Sequence, residues 1–196
     1  KDYQINKSIN SDTFQSFLVY GPNEGLIREN INIILKNFSK DADCEKVNII
    51  GKQLDENISI LNDEISTISL FNEKKFIILE SIKEKHISII EDSLSLEFKN
   101  TCMIVKQDNL TKSSGIRKLY ESSKTHFSLA CYDDDIKVLS SLLEKFQKEH
   151  NIIFDSDVKS FLLNNLSNDR LVIKNELEKI LLSLSKDDRK VDIEKL

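Results

Sequence analysis

The residues best placed to do chemistry are those of the turn Gly21-Pro22-Asn23-Glu24-Gly25-Leu26-Ile27-Arg28, which follows an apolar run and opens a helical pattern. A turn so placed holds phosphate when it is spaced Gly-x-x-x-x-Gly-Lys-Ser/Thr. Backbone N–H groups then wrap the oxygens, the lysine neutralises them and the hydroxyl holds magnesium. Counted from Gly21, the last three of those places hold Leu26, Ile27 and Arg28. The lysine has become an apolar residue of the helix face, the hydroxyl is missing, and Glu24 adds negative charge where phosphate would lie. Asn23 breaks the alternative Gly-x-Gly-x-x-Gly spacing, so Gly21, Gly25 and Arg28 form a degenerate nucleotide loop not expected to bind. The strand end that would supply a metal-bearing carboxylate pair has Glu80 alone before Ser81-Ile82. ATP hydrolysis is therefore not expected.

Other catalytic groupings are equally thin. His86, His126 and His150 fall in three separate elements with no Ser or Cys motif beside them, and read as ordinary surface or core histidines. Cys44, Cys102 and Cys131 are odd in number, far apart and free of any Cys-x-x-Cys pair, with Cys102 and Cys131 in apolar runs that suit small core side chains. There is no Gly-x-Ser-x-Gly elbow and no His-Glu-x-x-His pair. No cofactor and no metal is expected.

The elements that must position these residues come from hydropathy patterning. Of 196 residues, 39% are hydrophobic and 31% charged, enough to bury a core. Lys and Arg number 28 against 33 Asp and Glu, a formal charge of −5, which argues against a surface built as a phosphate-binding field. No apolar run approaches the ~20 residues of a membrane span and no basic-then-apolar leader opens the chain. Gly 4, Pro 1 and Cys 3 argue against collagen-like and disulfide-stapled classes. A soluble cytoplasmic protein without membrane contact is the expectation.

Five continuous apolar runs, Phe17–Tyr20, Val47–Ile50, Phe76–Leu79, Cys102–Val105 and Phe127–Cys131, have the length and character of strands buried on both faces. Helical spacing separates them: Leu26 to Phe38, Ile58 to Ile65, Lys83 to Leu96, and Ser113 to Ser122. This alternation predicts an α/β fold, an open doubly wound five-stranded parallel sheet. The pattern changes at Tyr132-Asp133-Asp134-Asp135. Beyond it come three helices, marked by Ile136 to Phe146, by Val158 to Leu166 after an N-cap at Asp155, and by Ile173 to Leu184. The acidic triplet is read as complementing a helix dipole, since consecutive Asp side chains do not converge on one ion. Lys112, Arg117, Lys118 and Lys124 are read as the solvated face of one short helix.

One apolar segment admits two readings, of which periodicity alone favours burial and position favours exposure. Ile68-Ser69-Leu70-Phe71 precedes the third strand and is followed by polar Asn72-Glu73-Lys74-Lys75. Leu70 and Phe71 either close the helix–strand corner by tucking into the core, or stand on a loop as a compact anchor for a partner's apolar pocket.

Taken together, Phe17-Leu-Val-Tyr-Gly-Pro-Asn-Glu-Gly-Leu-Ile-Arg-Glu29, Ser66-Thr-Ile-Ser-Leu-Phe71, Lys112-Ser-Ser-Gly-Ile-Arg-Lys-Leu119, Ala130-Cys-Tyr-Asp-Asp-Asp135 and Asn168-Asp-Arg with Asn175-Glu-Leu-Glu-Lys179 resemble the delta subunit of the bacterial DNA polymerase III clamp loader. The Gly-Pro-Asn-Glu-Gly-Leu loop is similar to its alphaproteobacterial branch. The resemblance implies an AAA+-like base domain over residues 1–132 without a working ATP site, then a small all-α lid domain over 133–196. The family's C-terminal collar domain does not follow Leu196, so a fragment is expected.

The same resemblance implies the function: binding the ring-shaped sliding clamp (the beta subunit), holding it open for loading onto DNA during replication, and assembling with other clamp-loader subunits. Carried across, Leu70 and Phe71 are the clamp anchors, Ile68 supports them and Ser69 sets the turn. Ile68 departs from members with Met there, giving a stiffer support of the same apolar character. No intrinsic active site is implied, although as part of the holoenzyme the family is grouped with DNA-directed DNA polymerases, which are nucleotidyltransferases. DNA contact is expected only weakly or within the complex. Two alternatives stand beside this: a small P-loop-like ATPase, or another inactive clamp-loader subunit, which would bring a zinc-binding Cys cluster not found here.

Overall fold

The computed structural model describes residues 14–40, 42–67, 74–166, 169–184 and 190–191. They divide into two compact units, one carrying the sheet and the other made of Asn23–Leu26 with the chain from Tyr132 onward.

In the first unit, strands β1 (Ser16–Tyr20), β2 (Cys44–Ile50), β3 (Lys74–Glu80), β4 (Thr101–Gln107) and β5 (Phe127–Ala130) pair in the order β2-β3-β4-β1-β5. Every pairing is parallel, with Leu18 opposite Val105 and Ser128, and Ile77 opposite Val47 and Met103. The apolar runs explain this arrangement. All five residues of β1 are buried: Phe17 to Tyr20 are the continuous apolar run that a strand covered on both sides calls for, and the Ser16 hydroxyl is paired with that of Tyr120 at 2.7 Å. Leu18 and Tyr20 join Ile77, Leu79, Met103 and Val105 in one core, while the alternate Phe17 and Val19 are equally buried. Phe38, on helix α1 (Glu24–Ser39), packs its ring 6.3 Å from that of Phe76. Each such side chain removed from water contributes roughly 1.5–3 kcal/mol.

Two local outcomes differ from the pattern reading. The chain after β2 enters a helix at Gly51, α2 (Gly51–Glu56), before α3 (Ile60–Ser66). Leu54, fully buried, supplies an apolar contact too isolated to show as periodicity. The segment read as one helix from Lys83 to Leu96 is a 3₁₀ turn (Glu84–His86) leading into α4 (Ile87–Leu94). Here the His86 ring is buried and Nδ1 accepts from the Lys83 backbone N–H at 3.1 Å, holding the tighter turn. A short helix, α5 (Gly115–Glu121), precedes β5.

The second unit contains α6 (Ile136–His150), α7 (Ser156–Asn165) and α8 (Arg170–Ser183). Their apolar stripes meet in a core of Leu139, Leu143, Phe154, Val158, Leu162, Ile173 and Leu177. Each helix opens on an aspartate whose carboxylate accepts from its first turn: Asp135 from Val138 N–H, Asp155 from Val158 N–H, and Asp169 from Leu171 and Val172 N–H. Each cap satisfies donors that would otherwise lack a partner and is worth about 1 kcal/mol. The Val158 N–H bond is also the main reason the Asp155 carboxyl lies below its ordinary pKa. At the other end of α6, Asn151 takes the left-handed conformation (φ 53°) that ends the helix. No described helix is long and apolar enough to cross a membrane.

Candidate functional site

The carboxyl ends of parallel strands are where a doubly wound sheet holds its ligands, and β1 leads there into the Gly21–Arg28 turn. Gly21 has φ +148°, a backbone open in practice to glycine, and a Cβ there would meet the Cys131 carbonyl oxygen at 2.0 Å. Its N–H donates to the Gln107 carbonyl at 3.4 Å, so the turn leaves β1 pressed between the ends of β4 and β5.

The next residues are held by the helical unit. Asn23 is fully buried, and its Oδ1 accepts from Leu26 N–H at 2.9 Å and Arg170 N–H at 3.3 Å. Gly25 N–H donates to Asp169 Oδ2 at 3.3 Å, while Asp169 Oδ1 caps α8 through Leu171 N–H at 2.8 Å. One carboxylate thus serves two helix starts, and a Cβ on Gly25 would lie 2.1 Å from the Leu171 nitrogen. In a phosphate-binding turn such N–H groups point at an anion. Here the side chains of Asn23 and Asp169 supply the acceptors for Gly25 and Leu26. Arg28, by contrast, is exposed. Of the three loop residues singled out by sequence, Gly21 and Gly25 are therefore packed against other backbone and Arg28 is on the surface.

Arg170 completes the cluster. Its guanidinium grips Asp134 with two bonds, Nε to Oδ2 and Nη2 to Oδ1 at 3.1 Å, and both side chains are largely buried (14% and 7% exposed). The dipole reading of the acidic triplet therefore holds for Asp135, whereas Asp134 is turned away from a helix start to form a buried fork-shaped ion pair. Arg117 also corrects expectation. Its side chain is 13% exposed and bonds Glu121 at 2.7 Å and the Leu110 carbonyl at 3.1 Å, with the guanidinium 5.2 Å from the centre of the Tyr20 ring. It is a packing residue, because its long stem and planar head cover the end of β1.

Glu80, the lone acid at the end of β3, pairs with Lys106 at 3.4 Å. His86 is buried with Nε2 2.8 Å from Asp55 Oδ1. Lys85 reaches the same carboxylate, and hydrogen bonds from Lys85 first and His86 second hold Asp55 down at about 2. His126 Nδ1 is buried without a partner, and burial pushes its pKa down. Burial likewise raises the Cys102 thiol, leaving it inert. Among the described residues no group of three or more His, Cys, Asp or Glu side chains is arranged to hold a metal ion. The four residues Ile68, Ser69, Leu70 and Phe71 lie outside the described residues. Asn23, Asp169 and Asp134 were not predicted as partners. The motif Asn168-Asp-Arg carried the only hint, and its contacts reach back 144 and 147 residues.

Residues 17–105 match the family model described as DNA polymerase III, delta subunit. A Rickettsia prowazekii (strain Madrid E) protein described as "Probable DNA polymerase III subunit delta" is 24% identical over 171 residues, 85% of this chain and 50% of the relative. Over these spans the chain is similar to delta subunits of DNA polymerase III. It spans about half the length of that curated relative. The Bacillus subtilis DNA clamp loader delta protein superposes with a TM-score of 0.59 at 14% identity, over 100% of this chain and 61% of that one. The Thermotoga maritima RuvB Holliday junction branch migration motor gives 0.62 at 8% identity, over 100% and 67%. At these identities the two structures speak for the fold alone. The chain has the five-stranded parallel α/β architecture expected from its sequence, and it shares that fold with these two structures.

Proposed function

We propose that this chain works as a clamp-loader delta subunit of the DNA polymerase III holoenzyme. It binds the sliding clamp through Ile68, Ser69, Leu70 and Phe71 and holds the ring open, with no active site of its own. The observation that carries the reading is the match over residues 17–105, a span that contains both the altered turn and the 68–71 segment. The turn supports it: Gly25 and Leu26 donate to Asp169 and Asn23, and lysine and hydroxyl are absent from the places where phosphate and magnesium need them.

A protein without chemistry opens a ring by binding the open form better than the closed one, and it shifts that equilibrium only by the difference in affinity. Leu70 and Phe71 are the apolar anchors, Ile68 supports them and Ser69 shapes the turn. The base domain comprises residues 1–132 and the lid 133–196, and the other clamp-loader subunits supply ATP-driven control. DNA is held weakly or only within the complex.

The test is a titration of the cognate clamp with the wild-type chain and with Leu70→Ala/Phe71→Ala. Losing a buried aromatic anchor costs about 2–4 kcal/mol, a roughly 30- to 800-fold weaker complex, with unchanged circular dichroism. Near-wild-type affinity in the double variant refutes the assignment. Isothermal titration with Mg-ATP separates the P-loop-like ATPase alternative, which requires binding at the Gly21–Arg28 turn; heat equal to dilution is expected.

A further inference from the structure

The first turns of α1 and α8 both belong to the helical unit, and each is capped in a way that involves the other. Asn23, the residue before α1, is fully buried. Its Oδ1 accepts from Leu26 N–H in its own helix at 2.9 Å and from Arg170 N–H in α8 at 3.3 Å. Asp169, the residue before α8, reciprocates. Its Oδ1 accepts from Leu171 and Val172 N–H in its own helix at 2.8 and 3.2 Å, and its Oδ2 from Gly25 N–H in α1 at 3.3 Å. Two donors of α1 and three of α8 are thus taken up by three oxygens of two side chains.

An ordinary cap is local, its side chain accepting from the helix that it precedes, as Asp135 and Asp155 do for α6 and α7. The crossed arrangement has a different physical role. Two helix starts brought together present two sets of unpaired donors and two positive dipole ends. A single carboxylate shared by both offsets the two at once. Glycine permits the approach, since a Cβ on Gly25 would stand 2.1 Å from the Leu171 nitrogen.

We propose that Asn23 and Asp169 form a reciprocal clasp that makes the first turns of α1 and α8 open and close as one cooperative unit. The protein's own carboxylate serves where a turn of this kind would otherwise hold a bound anion. Neither helix start frays without leaving donors of the other unpaired, and unpaired buried donors are costly. The clasp draws nothing from the clamp-binding reading, which stands or falls separately.

The test is amide hydrogen exchange, measured by NMR on the purified 196-residue chain and on Asn23→Ala, Asp169→Ala and Asp155→Ala. The last removes the cap of α7 and controls for general loss of stability in the same unit. The informative amides are the crossed ones. Val172 is bonded to Asp169 and Leu26 to Asn23. Two separate caps predict no change at Val172 in Asn23→Ala and none at Leu26 in Asp169→Ala. A clasp predicts exchange about fivefold faster at both, the size of one lost cap, with Asp155→Ala leaving both as in wild type. Wild-type exchange at the crossed amides, or an equal rise in Asp155→Ala, overturns the proposal. Should one of the two variants not fold, the crossed amide of the other decides alone. Excess Mg-ATP or inorganic pyrophosphate leaves the wild-type pattern unchanged. New protection at Gly25 or Leu26 would show an outside anion displacing Asp169 and would overturn a self-contained clasp. Clamp affinity is the readout of the earlier reading, and none of these exchange outcomes bears on it.

Discussion

Gly25→Ala tests the internal closure of the turn by its sign. Judged as the second residue of α1, alanine should help, because glycine is up to ~1 kcal/mol the poorer helix former. The packing says the reverse. The new Cβ would stand 2.1 Å from the Leu171 nitrogen, 2.8 Å from the Arg170 carbonyl carbon and 3.0 Å from Arg170 Cβ. The first two are backbone atoms of α8 and cannot rotate aside. Overpacking of that kind costs about 1–3 kcal/mol, and easing it by moving the first turn of α8 stretches the Gly25 N–H bond to Asp169, already 3.3 Å. A hydrogen bond to a charged group is worth about 1.5–3 kcal/mol. Set against the helix gain, the net is about 2–4 kcal/mol destabilising. Urea unfolding followed by far-ultraviolet circular dichroism should show the midpoint down by ~1–2 M at a slope near 2 kcal/mol/M. An unchanged or higher midpoint would show that α8 does not press on the turn, and the account of its closed donors would fail with it.

Two further outcomes follow from the electrostatics. Asp134→Ala leaves the Arg170 guanidinium buried without its carboxylate and should cost about 3–5 kcal/mol in thermal or urea unfolding, whereas Asp134→Leu/Arg170→Met should recover most of it. Asp55 is held down from 3.8 to about 2 by hydrogen bonds from Lys85 and His86. Its contribution is fully present above pH ~4 and is lost as pH falls through about 2. Urea midpoints of wild type and Asp55→Asn should therefore differ at pH 6 and converge toward pH 2. A constant gap would show that the Asp55 carboxylate is not bound as described.

The framework was legible in the residues because burial on both faces forces continuous apolar runs. Phe17–Tyr20, Phe76–Leu79 and Cys102–Val105 each lie within an observed strand, and Asp155 caps its helix as read. The altered turn was legible too, since lysine and hydroxyl are required at fixed positions and Ile27 and Arg28 stand there. The amino-acid order by itself thus determined the layered sheet, the helices after Tyr132 and a turn that lacks lysine and hydroxyl where phosphate and magnesium need them. Only the tertiary structure decided where the freed donors went. Asn23 and Gly25 find their partners in Arg170 and Asp169 near the far end of the chain, Asp134 turns to Arg170, and Arg117 lies over Tyr20. Periodicity reports which face of an element is apolar. It carries no record of which distant polar group will satisfy a buried one, because that depends on how packed elements bring together residues that are not neighbours in the chain.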